Sequence, residues 1–139
     1  MIKISRRHED VDIDIVHQYL AEQSYWAKSI PRNTVKLSIE NSECFTVLLD
    51  DGMIGFGRLV TDKATFAYLA DVFILEGYQG KGYAKKLIEF ILSQSDLQGI
   101  RRWMLMTKDA HGLYKQFGFS ELEDATMALS MAKKNLYNN

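Results

Sequence analysis

One cysteine, one proline and no long apolar run set the first limits on this 139-residue sequence. A lone Cys44 cannot close an intramolecular disulfide, and no stretch approaches the roughly 18 consecutive apolar residues that a membrane span needs. The opening Met1-Ile-Lys-Ile-Ser-Arg-Arg-His8 has no apolar segment of the secretory-signal kind, so a cytoplasmic protein is expected. Excess charge is missing too: 17 Lys and Arg stand against 18 Asp and Glu. A net charge of −1 gives no general attraction to nucleic acid or an anionic membrane, and Arg101-Arg102 and Lys133-Lys134 read as solvated charges. Repeats, low-complexity tracts and linkers are also absent. What remains is an ordinary globular composition, 47% hydrophobic and 25% charged, in a length that fits one domain over residues 1–139.

The most informative stretch runs from Leu69 to Leu92. Val72-Phe-Ile-Leu75 is a short apolar run suited to a buried strand, and Ala84, Leu87, Ile88, Ile91 and Leu92 form one apolar stripe of a helix. Between them lies Gln79-Gly-Lys-Gly-Tyr-Ala84. Glycines there can take positive φ and let a ligand approach the backbone, while the first helical turn presents unpaired N–H groups and the positive end of its dipole. That combination favours an anion. A nucleoside-triphosphate loop requires G-x-x-x-x-G-K-[ST], but Gly82 follows Gly80-Lys81, so no hydroxyl is placed for Mg²⁺. A dinucleotide loop requires a third glycine where Lys85 stands and a carboxylate near Trp103-Met-Leu-Met106, and both are missing.

The remaining chain supplies a mixed sheet. Ile2–Ser5 suits a first strand, and Asp10 or Asp12 suits the cap of a helix bearing Ile13, Val16, Tyr19 and Leu20 and ending near Ser24. The aromatic loop Tyr25–Asn33, which contains the proline, precedes a second helix starting near Asn33 or Thr34. It reads either as a binding wall or as cover for the edge of the core. Cys44–Leu49 and Met53–Val60 form a hairpin through Asp50-Asp51-Gly52, and Thr65–Leu75 continues the meander. Gly55 and Gly57 inside a strand point to a close neighbour or a bend. Arg101–Thr107 follows the helix and becomes the parallel neighbour of the preceding strand. Asp109 suits the cap of a short helix, Ala110–Phe117, ended by Gly118; Ala125–Met131 reads as the last strand, and 132–139 as a polar tail.

Gln79, Gly82 and Ala84 fit the pattern [QR]-x-x-G-x-[GA], and Tyr114 stands four residues before Gly118-Phe119. Two such signatures, in this order and separated by one helix and one strand, resemble the small single-domain bacterial type of the GNAT superfamily of N-acetyltransferases over nearly the full chain. The resemblance implies an α+β GNAT fold: a mostly antiparallel sheet with one splayed parallel pair and helices on both faces. It implies acetyl-CoA as co-substrate, without a metal. The main chain of Val72, Phe73 and Ile74 would meet the pantetheine, and Gln79, Gly80, Lys81, Gly82, Tyr83, Ala84 and Lys85 would hold the pyrophosphate. Transfer to a primary amine would be direct, in a ternary complex, with Tyr114 hydrogen-bonding or protonating the departing thiolate. A strand glutamate found in some members has no counterpart in Thr65-Phe-Ala-Tyr68, so Asp71, His111 or a water relay is expected to take the amine's proton. Tyr25, Trp26 and Tyr68 would line the acceptor side.

Two other classes compete. Cys44 with His8, His17 or His111 would make a ping-pong enzyme, although a lone cysteine opening a strand is more often a small apolar residue. A non-catalytic acyl-CoA-binding or regulatory module fits the missing glutamate but not Tyr114. The expected partners are acetyl-CoA and a small amine or peptide amine, with no nucleic acid and no membrane; a homodimer is left open. The acceptor's identity is not written in the sequence.

Overall fold

The computed structural model describes residues 1–137. Strands β1 (Ile2–Ser5), β2 (Glu43–Leu49), β3 (Gly52–Thr61), β4 (Phe66–Ile74) and β5 (Arg102–Leu105) form one sheet in sequence order. The first three junctions are antiparallel and the last is parallel. Asp50 and Asp51 take φ of 49° and 67°, the left-handed pair that a tight turn matched to strand twist requires. The parallel junction is reached through helix α3 (Tyr83–Leu92), the crossover the sequence predicts.

The other helices start where local chemistry favours it. In α1 (Ile13–Gln18), the Asp12 carboxylate accepts the N–H groups of Asp14 and Ile15 at 3.1 and 3.2 Å, and the chain continues as one wider helical turn over Tyr19–Gln23. Helix α2 (Arg32–Glu40) begins directly after Pro31, whose φ of −66° presets the entry, one or two residues earlier than expected. Helix α4 is a single turn, His111–Lys115.

Two apolar layers enclose the sheet. Phe45, Val47, Leu59 and Leu69 pack against Leu87, Ile88 and Ile91 of α3 on one face, and Cys44, Phe56 and Phe73 pack against Val16, Leu20, Val35 and Ile39 on the other. Neighbours Cys44 and Phe45 thus point to opposite faces, and both are buried. A sheet covered on both sides explains why its strands read as continuous apolar runs. At Gly55 a Cβ would stand 2.6 Å from Ile74 Cδ1 and 3.1 Å from the Phe73 carbonyl oxygen. Gly55→Ala is therefore expected to cost about 1–3 kcal/mol by overpacking, read as a lower thermal midpoint in calorimetry; an unchanged midpoint would mean that β3 and β4 sit further apart.

Two expectations are corrected. Asp109 does not cap α4: Ala110 precedes the helix, and the Thr107 hydroxyl oxygen accepts the Ala110 N–H at 3.1 Å. Ala125–Met131 is not a strand. It holds one tight turn, Ala125–Met127, and then runs extended with every residue exposed, across a groove from β5 without pairing to it. Among the described residues no helix is long and apolar enough to cross a membrane.

Candidate active site

The parallel junction is short. β4 and β5 pair from Phe66 opposite Arg102 to Leu69 opposite Leu105 and then part, while β4 runs on to Ile74 still paired with β3. Its register shifts between Phe56 and Arg58, so that Asp71 and Val72 share the single residue Gly57, and Asp71 takes a φ of 54°. This is a bulge, which bends a strand and raises its twist; here it accompanies the parting from β5. The Leu75 N–H donates to the Ile54 carbonyl at 2.8 Å. Alternation along the strand then turns the main chain of Ile74, and of Val72 before it, toward the opening. Gln79 Nε2 donates to the Ile74 carbonyl at 2.8 Å, which ties the loop to the strand end. Phe73, between them, faces Phe56, and its ring stacks on Tyr19 at 4.0 Å.

The opening leads to the N-terminus of α3. Gly77, Gly80 and Gly82 have φ of 95°, 78° and 82°, and an added Cβ would meet nothing within 4 Å at any of them. Backbone conformation rather than crowding is what glycine supplies here. Gly82 stands at the helix start and no side chain caps it. The Lys86 N–H is bonded back to the Gly82 carbonyl at 3.1 Å, which leaves the N–H groups of Tyr83, Ala84 and Lys85 without intrahelical acceptors. Lys81 and Lys85 are exposed beside them, and neither is in an ion pair among the described residues. Dipole, free donors and ammonium groups all favour an anion at this point.

At the bulge, the aromatic loop spans the gap between the two strands. Trp26 Nε1 donates to Asp71 Oδ1 on β4 at 2.9 Å, and the Tyr25 hydroxyl accepts the Lys108 N–H beyond β5 at 2.7 Å. The two rings meet edge to face at 5.1 Å, with Lys108 Nζ 5.4 Å from the Tyr25 ring centre. Tyr25 and Trp26 nonetheless stay about half exposed, at 49% and 44%, so they both seal the core and present a wall. Arg58 Nε donates to the second Asp71 oxygen at 2.8 Å, and this pair is largely buried. Half-buried Tyr68 lies near it; its phenol is pushed above its ordinary pKa, first by burial and then by Asp71.

Tyr114 in α4 is the buried residue of this end. Its ring meets Phe119 at 5.9 Å, and its hydroxyl has no hydrogen-bond partner among the described residues, although it is not sealed from solvent. Burial above all, then Tyr25 and Asp109, pushes its pKa up to about 12, so the phenol stays protonated at any ordinary pH. His111, one turn earlier, is exposed.

The arrangement brings together most of the residues expected from sequence. Val72 and Ile74 border the opening, Gln79 to Lys85 its far end, and Tyr25, Trp26, Tyr68, Asp71 and Tyr114 the near end. Asp71 is one of the candidates to take the amine's proton, and both its oxygens are engaged, by Trp26 and Arg58. Arg58, its partner, carried a readable signal: a charge in the middle of an apolar strand must be paired if that strand is buried. Cys44 lies away from the opening. It is buried, its sulfur faces the Ile39 and Ser42 carbonyls, and burial pushes its thiol up to about 12. His8 and His17 face main-chain carbonyls of Ile39, Ser42 and Ile30.

Known proteins share this architecture. The profile of the acetyltransferase (GNAT) domain matches residues 40–121. A crystal structure of a protein assigned to the GNAT family, from Xanthomonas campestris pv. campestris, superposes with TM-score 0.97 at 37% identity, covering 100% of this chain and 98% of that one. The Gibberella zeae protein FG08082, assigned by name to the acetyltransferases, is 27% identical over 137 residues, 82% of this chain and 76% of that protein. A predicted acetyltransferase of Clostridium acetobutylicum, solved with acetyl-CoA, shares the fold at TM-score 0.71 and 12% identity, covering 95% of this chain and 96% of that one. Splayed strands, uncapped glycine-led helix and matching sequence profile together establish that the chain belongs to the GNAT family of acetyltransferases.

Proposed function

We propose that this acetyltransferase moves the acetyl group of acetyl-CoA directly to a primary amine while both are bound. The observation that carries the reading is the parting of β4 from β5 after Leu69, which opens onto the uncapped start of α3. The Clostridium fold neighbour was solved with acetyl-CoA, which fits this choice of donor. The pantetheine amides would pair with the main chain of Val72 and Ile74 beside Phe73. The pyrophosphate would rest on the N–H groups from Gly80 to Lys85, with Lys81 and Lys85 adding charge.

In the transfer, the amine lone pair attacks the thioester carbonyl carbon and the electrons move to its oxygen, polarised by an N–H of β4. The tetrahedral intermediate collapses by breaking the C–S bond. Tyr114 gives its proton to the departing sulfur and later recovers one from solvent. The amine's surplus proton passes to His111, which is exposed, or to water. Asp71 completes the acceptor side through Trp26 and Arg58, and Tyr25, Trp26 and Tyr68 favour an acceptor with an apolar portion.

A mass-spectrometric screen of acetyl transfer over amines, amino acids and peptides tests this reading, and N-acetylated product is the expected result. Cys44→Ala should turn over at close to the parent rate, and acetyl-CoA alone should leave the protein unmodified, because a thiol raised to about 12 is almost wholly protonated. An acetylated Cys44 competent to pass its group to an amine would replace direct transfer with a covalent route. The engaged Asp71 favours a second reading, a non-catalytic acyl-CoA-binding module; it would be adopted if the chain bound acetyl-CoA and acetylated nothing.

A further inference from the structure

One ion pair of this protein lies within the sheet rather than at its rim. Arg58 Nε donates to Asp71 Oδ2 at 2.8 Å and Arg58 Nη1 to the Ser42 hydroxyl at 3.1 Å. Of the ion pairs among the described residues, this one is the most buried. In an unbroken ladder Ala70, the cross-strand partner of Arg58, would share its face, and Asp71 would point to the other. The bulge undoes this alternation: with a φ of 54°, Asp71 brings its carboxylate round to the guanidinium. Aspartate tolerates that left-handed conformation better than most side chains, but its surroundings must still hold it there.

A buried ion pair is poor evidence for stability, since desolvation offsets most of its attraction. What this pair adds lies on its outer side. Asp71 Oδ1 accepts the Trp26 Nε1–H at 2.9 Å, although Trp26 is half exposed and water was available to that N–H. A carboxylate fixed from behind thus sets the plane of the indole. The Tyr25 ring stands against it at 86° and 5.1 Å, and the Tyr25 hydroxyl is tied to the Lys108 N–H beyond β5. Two half-exposed rings therefore make a corner across the gap between β4 and β5. A flat apolar group fits such a corner. A second cation does not, because the Lys108 ammonium already stands 5.4 Å from the Tyr25 ring centre.

From these contacts we propose that Arg58 is a positioning residue for the acceptor: through Asp71 it locks the Trp26 indole across the opening, and the locked corner selects primary amines bearing a flat apolar group over polyamines. This rests on the reading of the opening as an acetyltransferase site with Trp26 on its acceptor side. Arg58 acts from behind Asp71 and not on the amine. Its planar fork is what the place requires, since a lysine offers one point charge where the guanidinium donates to Asp71 and Ser42 at once.

Isotope labelling of the tryptophan nitrogens, read by NMR, tests the lock without reference to activity. The two tryptophans give two indole N–H signals, and that of Trp26 is the one lost in Trp26→Phe. In the parent it should exchange slowly with water although its ring is half exposed. In Arg58→Met it should exchange about 10-fold faster as the loop loosens, while Trp103 in β5 keeps the parent's rate and reports an intact fold. Arg58→Lys, which leaves no carboxylate unpaired, should show the same loss to a smaller degree. In kinetics, KM for 2-phenylethylamine should rise about 10-fold in Arg58→Met, the scale of a small misfit in an apolar pocket. Its kcat, KM for spermidine and acetyl-CoA affinity should stay close to the parent's. Because Arg58→Met strands a largely buried carboxylate and costs stability, Trp26→Phe is measured beside it; this variant cuts the link at its exposed end, keeps the ion pair and should raise the same KM. An unchanged Trp26 exchange rate in the folded Arg58 variants overturns the positioning role, whatever the chain acetylates. So does a KM for 2-phenylethylamine that Trp26→Phe leaves as it was. A parent that acetylates spermidine more efficiently than 2-phenylethylamine overturns the acceptor class, and one that binds acetyl-CoA but acetylates no amine overturns that class together with the reading beneath it.

Discussion

Replacing Gly82 by aspartate should abolish acetyl-CoA binding while leaving the protein folded. Gly82 has a φ of 82°, and an added Cβ there meets nothing within 4 Å, so the chain without ligand has room for the side chain. Aspartate is among the residues that tolerate the left-handed region best, which limits the backbone penalty. The added carboxylate would stand at the residue directly before the free N–H groups of Tyr83, Ala84 and Lys85, where the pyrophosphate is proposed to rest. One carboxylate about 4 Å from one phosphate charge costs about 4 kcal/mol at an effective dielectric of 20, or about 10³-fold in Kd. Gly82→Ala adds the methyl without the charge and should weaken binding much less. Titration calorimetry with CoA checks both. If the aspartate variant binds as tightly as the parent, the pyrophosphate does not sit at α3.

Much of this site was legible because its signals are local. A short apolar run placed the end of β4, the period of 3.6 placed α3, and the spacing of Gln79, Gly82 and Ala84 marked the loop between them. The hairpin at Asp50-Asp51-Gly52 was equally plain, because its conformation is set by the turn residues themselves. Asp71 was harder. It adopts φ of 54° in mid-strand without a glycine to announce it, and its partners Arg58 and Trp26 lie 13 and 45 residues away. Its engagement is a tertiary fact that no local pattern encodes. The same holds for the point at which β4 leaves β5: nothing in Leu69-Ala70 says that pairing stops there.

The segment after Asp124 went differently. Its alternation is that of a strand, yet it does not pair with the open edge of β5, from which a groove separates it. Periodicity reports what a segment is suited to form; it does not report where the partner is. The cap of α4 was misassigned for a smaller reason: Asp109 and Thr107 are both good acceptors near the helix start, and backbone geometry gave the bond to Thr107.

Tyr114→Phe should lower kcat by roughly 10²–10⁴-fold, the worth of a positioned acid, with acetyl-CoA affinity and thermal stability close to the parent's. The ring remains against Phe119, so the packing at 5.9 Å persists. The lost hydroxyl had no partner among the described residues, so no buried group is left unsatisfied by its removal. What disappears is a donor needed chiefly when sulfur becomes a thiolate, an interaction made in the transition state rather than the ground state. The direction of the pKa change fits this use. Burial holds the phenol protonated up to about 12, so the parent's rate should show no loss from Tyr114 ionisation near pH 10, where an unburied tyrosine titrates. Three outcomes separate the roles: a fall in kcat alone identifies the acid, a matching loss of affinity identifies uniform binding, and a lower melting point identifies a structural tyrosine. Undiminished turnover, measured where the chemical step limits the rate, would take Tyr114 out of the mechanism and leave the thiolate to be protonated by solvent.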